Sequence, residues 1–376
     1  MKKLAIILLA TLLASCTGTT GYWSQFGGGP GLSFASKKHL SGNITKIWDI
    51  GYQRMMSMVW PVVDDGFAYA VADDPLDSFS SVLVKLSLET GKKVMDPLPI
   101  GKGTSFSLVL GSNSLIISDG PNIKKLDKES FELLWEFQLP DDENVFQFAS
   151  VEDIVFLVSE KSNVYCLNKE TGMARWQQRA DEKYFYRWCA TNGEISLIEG
   201  YEPEGSMKVM AFNSYTGEYL WQFETEGNAR IPPQINEKLV IINSTGQIAQ
   251  LDIENGNLLW TQLVRDASGL PYKIEKPGIF LEDIYYLTIG NRLVGYDTKT
   301  GIVIDEKKMP VESTVSGMVA SKNTVYISFV GSPYLVCYSI DELKFTKLFE
   351  GDRTVIGMAV ANGLVVQTIQ SVMYFK

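Results

Sequence analysis

Acid–base, nucleophilic and metal chemistry draw on a small set of side chains, and this 376-residue chain is poor in them. Its only histidine is His39. One histidine cannot build a multi-histidine metal site. With no G-x-S-x-G turn to present a serine, it has no triad to serve either. The sequence contains neither H-E-x-x-H nor C-x-x-C. Cysteines stand at 16, 166, 189 and 337, and none adjoins another. Cys166, Cys189 and Cys337 lie in apolar, strand-like runs and read as buried thiols acting as small hydrophobes. Three cannot pair completely, and a Cys166–Cys189 bridge stays open in an oxidising compartment. The acidic groups Asp73-Asp74 with Asp77, and Asp141-Asp142-Glu143, lack the ligand spacing of a calcium loop and read as solvated loops. Gly27 to Gly31 and Gly101 to Thr104 lack the Lys-Ser/Thr and the strand–helix frame of a phosphate loop. No catalytic, cofactor-binding or metal-binding residue is therefore expected.

The elements that would position a site announce themselves as a repeat. Leu167-Asn-Lys-Glu-Thr-Gly172 precedes Trp176; Phe212-Asn-Ser-Tyr-Thr-Gly217 precedes Trp221; Leu251-Asp-Ile-Glu-Asn-Gly256 precedes Trp260. Weaker copies place the glycine-equivalent residue at 91, 131, 301 and 343. Successive gaps are 40, 41, 45, 39, 45 and 42 residues. A period near 42 in a strand-rich chain means propeller blades rather than a helical solenoid. Within each unit Asp or Asn opens a turn by bonding its own backbone, and glycine supplies the positive φ.

A second set of turns lies upstream: Asp65-Gly66, Ser112-Asn113, Glu152-Asp153, Asn192-Gly193, Glu237-Lys238, Glu282-Asp283, Lys322-Asn323 and Asn362-Gly363. These eight outnumber the seven glycine-type turns by one. The eighth unit stops at Met373-Tyr-Phe-Lys376, where its outer strand should follow. Ile47-Trp48-Asp49 matches Leu134-Trp135-Glu136, so the strand Ile44 to Ile50 is expected to complete the last blade. The fold expected is all-β: a single eight-bladed propeller of four-stranded antiparallel blades, closed by the N-terminal strand, over residues 44–376.

The pattern Asp-x-x-Thr-Gly-x-x-x-Trp resembles the pyrroloquinoline-quinone-type propeller repeat, over nearly all of the chain. Met95, Asp305 and Lys347 depart from it at the tryptophan, and Phe131 and Leu343 at the glycine. The resemblance implies that each tryptophan docks one blade on the next rather than caging a ligand. Trp23-Ser-Gln-Phe-Gly27 is similar to the opening phrase of such proteins, and reads as a lead-in packed on the propeller.

Lys2 and Lys3 precede an apolar run from Leu4 to Ala14 that is too short to span a bilayer. Leu13-Ala14-Ser15-Cys16 resembles the lipobox of bacterial lipoproteins. That implies a signal peptide over 1–15, lipid attachment at Cys16 and a lipidated lead-in over 16–43. Thr17 after the cysteine implies the outer membrane, with the propeller facing the periplasm. Loss of Lys2 and Lys3 takes the formal charge from −10 to −12, which argues against a nucleic-acid partner.

Lipobox and single propeller together resemble the BamB family of β-barrel assembly lipoproteins. The implied function is a non-enzymatic envelope scaffold with protein partners, the barrel-insertion machinery among them, and no cofactor. The alternative is a quinone- or small-molecule-binding propeller, dehydrogenase-like or a sensor. Loops carry recognition on rigid scaffolds, and the long stretches Asp73 to Ser81, Glu199 to Ser206 and Arg265 to Lys276 are the expected rim.

Overall fold

The computed structural model describes residues 25, 27–29, 32, 34–36, 39–40, 43–52, 59–74, 80–101, 107–140, 143–227, 231–237, 239–266, 268–332, 334–339, 344–349 and 354–376. They form eight four-stranded antiparallel sheets and no helix. Blade 1 is Val62–Val63, Phe67–Asp73, Ser81–Ser87 and Leu98–Gly101; blade 2 is Leu108–Leu110, Ser114–Asp119, Asn122–Asp127 and Leu133–Gln138. Blade 3 is Val145–Val151, Ile154–Ser159, Asn163–Asn168 and Ala174–Arg179; blade 4 is Phe185–Thr191, Ile195–Tyr201, Ser206–Asn213 and Tyr219–Glu226. Blade 5 is Gln234–Asn236, Leu239–Ser244, Gln247–Asp252 and Leu258–Leu263; blade 6 is Ile279–Leu281, Ile284–Ile289, Arg292–Asp297 and Val303–Lys308. Blade 7 is Val315–Ser321, Thr324–Phe329, Leu335–Ser339 and Lys344–Phe349. Blade 8 is Val355–Val360, Leu364–Thr368, Ser371–Phe375 and, as its outer strand, Lys46–Gly51. Strands are lettered a to d within a blade, from the axis outward.

The closing strand is the one its Trp48 motif foretells, shifted by two residues at its start. Lys46 faces Phe375 and Gly51 faces Ser371. Thr45 and Lys376 exchange backbone hydrogen bonds of 2.9 and 3.0 Å just beyond that pairing. Both ends of the propeller thus sit in one blade. The b and c strands are buried on both sides, as in Ile154–Ser159, because each blade packs a neighbour on each face. The d strands are exposed with half-buried residues at alternate positions, as in Leu133–Gln138.

The predicted turn chemistry is present. Asn168 Oδ1 accepts from the backbone N–H of Glu170 and Thr171, and Asp297 Oδ1 does the same for Lys299 and Thr300. Each tryptophan then reaches from its d strand to the glycine turn of the following blade. Trp135 Nε1 donates to Lys169 O at 2.9 Å and Trp260 Nε1 to Thr298 O at 2.9 Å. Trp48, Trp176 and Trp221 bond Leu88 O, Ser214 O and Ile253 O in the same way, each at 2.8 Å. The indole lies flat against the glycine. A Cβ on Gly172 would stand 2.7 Å from Trp135, and one on Gly301 2.6 Å from Trp260. Glycine is required there twice over, by its φ of about +71° and by the ring upon it.

Candidate functional site

The ring has two unlike faces. The a–b and c–d connections of the blades emerge on one, the turn face, and are tight except for Ser87 to Leu98 of blade 1. The b–c connections and the crossings between blades emerge on the other, the loop face. The three long stretches picked out from sequence all belong to the loop face. Asp73 to Ser81 joins strands b and c of blade 1, with residues 75–79 outside the described residues. The stretch from Glu199 is shorter than the sequence suggested, because strand b of blade 4 runs on to Tyr201 and only residues 202–205 connect. Arg265 onward crosses from blade 5 to blade 6 and is braced by an Arg265–Pro271 bridge and by Asp266 Oδ1, which accepts from Ser268 and Leu270 N–H. These last two loops border a cleft of about 620 Å³ lined by Glu202, Glu204, Glu226, Thr245, Arg265 and Pro271.

The a strands of successive blades touch one another and surround the axis. The lead-in enters this channel from the turn face. Gln25 exchanges hydrogen bonds with both the N–H and the carbonyl of Ser150 in blade 3. Leu32 O accepts from Gln234 Nε2 of blade 5 at 2.8 Å. Phe34 and Ser36 pair with Ala320 of blade 7 at 2.9 and 2.8 Å. Gln25, Leu32 and Phe34 are 2%, 1% and 0% exposed. Phe34 meets the edge of Trp60, whose indole covers Gly317 and Gly357 of blades 7 and 8. The chain's own residues therefore fill the turn-face end of the channel. Packing of the Gly27 segment on the propeller is as expected; its place inside the channel is not legible in its sequence.

At the loop-face end, the a strands of blades 3, 4, 7 and 8 each carry a β-bulge, at Phe146, Arg187, Ser316 and Ile356. A bulge re-aims the extra side chain. Arg187 is exposed, with its guanidinium 5.5 Å from the ring centroid of Phe146 and 5.4 Å from that of Tyr201. Tyr201 in turn packs at a tilt against Phe185, which is 53% exposed.

Two buried acids depart from expectation. Glu143 is not solvated: it is fully buried and accepts from Ser159 Oγ, Asn163 Nδ2 and Tyr165 Oη, donors that lie at least sixteen residues ahead. Residues 141 and 142 lie outside the described residues. Glu199, in strand b of blade 4, is fully buried and neither oxygen has a hydrogen-bond partner. Burial pushes its carboxyl well above the usual range. The thiols of Cys166, Cys189 and Cys337 are buried and free, so the open Cys166–Cys189 pairing is not made. Burial raises Cys166 and Cys337 to about 12. His39 is exposed, and Cys16 lies outside the described residues.

A family model described as outer membrane protein assembly factor BamB matches residues 119–195 and 190–366. The chain belongs to the BamB family. Its BamB relatives include that of Yersinia pestis, 28% identical over 116 residues, covering 28% of this chain and 29% of that one. The BamB of Moranella endobia is 20% identical over 271 residues, covering 66% and 68%. The chain also matches a tetrathionate hydrolase of Acidithiobacillus ferrooxidans, 21% identical over 238 residues, 58% of this chain and about half, 48%, of that one. Among solved structures, BamB of Moraxella catarrhalis superposes with a TM-score of 0.65 at 13% identity, over 89% of this chain and all of that one. A quinohemoprotein alcohol dehydrogenase of Comamonas testosteroni gives 0.72 at 13% identity, over 95% and 80%. At such identities the structures share the fold alone.

Among the described residues, no three His, Cys, Asp or Glu side chains converge as a metal site. The tryptophans that define the repeat are spent on docking blades. Each face presents a cleft, the one on the loop face and another of about 560 Å³ on the turn face beside Glu237, Glu282 and Lys322.

Proposed function

We propose that this chain is a scaffold for the assembly and insertion of outer-membrane β-barrel proteins, lipid-anchored at Cys16, facing the periplasm and without catalysis of its own. The observation that carries the reading is the BamB-family match over 119–195 and 190–366. Residues 1–15 act as the signal peptide in this reading. Cys16 precedes Gln25 by nine residues, a reach of at most about 30 Å. The anchor then holds the turn face toward the membrane and leaves the loop face to partners. Confinement to one membrane raises the effective concentration of those partners, and a rigid ring loses little ordering entropy on docking.

The test is co-purification from envelope membranes after mild crosslinking, with deletion of the protein as a second assay. Recovery of an insertion-machinery component and lowered outer-membrane protein levels are expected. Recovery of none, with normal levels in the deletion strain, removes this function. Cys16→Ser is expected to release the protein from the membrane or leave it unprocessed.

The second reading, a small-molecule propeller, draws on the likeness to the tetrathionate hydrolase and to the alcohol dehydrogenase. Titration with pyrroloquinoline quinone and calcium separates the two. The scaffold gives no saturable heat; stoichiometric binding would establish the second reading instead.

A further inference from the structure

We propose that Arg187, held between Phe146 and Tyr201 at the loop-face mouth of the channel, anchors a carboxylate-bearing, apolar loop of a partner protein. The proposal deepens the scaffold reading and rests on it only for the class of partner, a protein.

The argument starts from what Arg187 lacks. Of the described arginines, Arg175, Arg179 and Arg292 pair with Asp153, Glu182 and Glu306, and Arg265 donates to Gly269 O. Among the described residues Arg187 has neither an ion pair nor a hydrogen bond, only its two aromatic neighbours. The chain around it carries ten formal negative charges in excess. An arginine left without a carboxylate in so acidic a protein has all five of its donors available. Its guanidinium is weakly hydrated, stacks on rings and matches a carboxylate in a two-pronged geometry.

The setting orders that group in advance. A β-bulge between Tyr186 and Trp188 turns the side chain out of the strand ladder. The rings of Phe146, from the neighbouring blade, and Tyr201, from strand b of the same blade, hold the guanidinium between them at 5.5 and 5.4 Å. Little side-chain freedom is then left to lose on binding. Arginine and aromatic residues are also the types that dominate binding energy at protein interfaces. Half-exposed Phe185, packed at a tilt against Tyr201, supplies apolar surface beside the charge.

Shape and charge narrow the partner. The turn-face end of the channel is occupied by Leu32 and Phe34, so a partner at the loop-face mouth meets Arg187 with a projecting loop rather than a strand threaded through. Next to Tyr201, the cleft bordered by Glu202, Glu204 and Glu226 favours basic flanks. The occupant is therefore a loop with one carboxylate beside a bulky apolar side chain, flanked by Lys or Arg.

The test places a photo-crosslinking benzoylphenylalanine at Phe185 in the full chain, in its own envelope, and maps the adduct by mass spectrometry. We expect one partner segment with Asp or Glu within two or three residues of a bulky apolar residue. Arg187→Glu lowers the adduct about tenfold or more with the circular dichroism spectrum unchanged, and Arg187→Lys lowers it less. Reversing the partner's carboxylate to Lys restores crosslinking to Arg187→Glu. No adduct, an adduct on a segment without a carboxylate, or a yield indifferent to Arg187→Glu overturns the proposal. If the mapped partner has no part in outer-membrane assembly, the scaffold reading falls while the Arg187 assignment stands. If assembly components co-purify but the adduct ignores Arg187, the reverse holds.

Discussion

The seam between blades 2 and 3 and the seam between blades 1 and 2 solve one problem differently. At the first, Trp135 covers Gly172 and donates to Lys169 O. At the second, Met95 stands in place of the tryptophan and Phe131 in place of the glycine. Phe131 holds a φ of +60° with a full side chain, because half-buried Met95 packs near it instead of an indole. The carbonyl three residues before it keeps one of two donors: Lys85, buried in strand c of blade 1, donates from Nζ to Lys128 O at 3.1 Å and pairs with Glu129, as Lys125 does to Lys169 O and Glu170 beside Trp135. The seam between blades 6 and 7 is a third solution. Asp305 occupies the tryptophan position, and its carboxylate accepts from Tyr338 of blade 7 at 2.8 Å. The glycine equivalent there, Leu343, lies outside the described residues, but it too is no glycine. Tryptophan and glycine are thus two halves of one device supplied by neighbouring blades, and where one half is lost the other is lost with it.

The contrast can be broken from either side. The largest effect is expected for Trp221→Ala, which empties a buried indole site and strips Ile253 O of its donor. It should cost about 4 kcal/mol in urea unfolding, against about 1 kcal/mol for Met95→Ala at a half-buried position. Equal losses would show that the indole is not what distinguishes the seams. Next comes Gly172→Ala, at about 3 kcal/mol, from a left-handed φ and a Cβ driven into Trp135. In a Trp135→Ala background the same substitution should lose its steric part and cost only about 1–2 kcal/mol.

Lys85→Met tests the lysine donor that both seams share and that stands without an indole here. It keeps the buried stem but leaves Lys128 O unsatisfied, for about 2 kcal/mol. Its Glu129 partner is mostly exposed and adds little. The smallest effect is expected for Glu199→Gln, which lies away from the tryptophan seams and so serves as their control. Its folded-state pKa is raised by burial, so the folded state binds the extra proton and stability falls as pH climbs above the unfolded value. Glu199→Gln should match the parent near pH 4 and exceed it in Tm increasingly from pH 5 to 8. A gap that narrows with pH would contradict the burial argument.

The blades were legible because turn chemistry and strand alternation are local: Asn168, Thr171 and Gly172 act within five residues of one another. The closing strand was legible through Trp48, a repeat residue found out of place. What escaped notice depends on distant partners. The donors to Glu143 come from the hairpin of blade 3, so its triplet read as a solvated loop. Glu199 adjoins the acidic stretch of Glu202 and Glu204, and nothing local shows that its strand runs two residues further, to Tyr201. Arg187 gave no signal at all, since a bulge is a property of register between strands. The lead-in's glycines marked a turn, but nothing in them points to Ser150, Gln234 or Ala320 as its berth.

The zipped joint in blade 8 also sets an order of events. Lys46, near the start of the ring, pairs with Phe375, 329 residues later and one residue from the C-terminus. Loop closure over such a distance costs only logarithmically in free energy, but it is slow to find. Strand Lys46–Gly51 is made well before its partner and cannot pair until Ser371–Phe375 follows. Throughout synthesis the growing chain therefore carries two unmatched edges, that first strand and whichever blade is newest. A chain that stops short of Ser371–Phe375 is left as an open ribbon, so the joint acts as a checkpoint passed only by a chain that carries both strands.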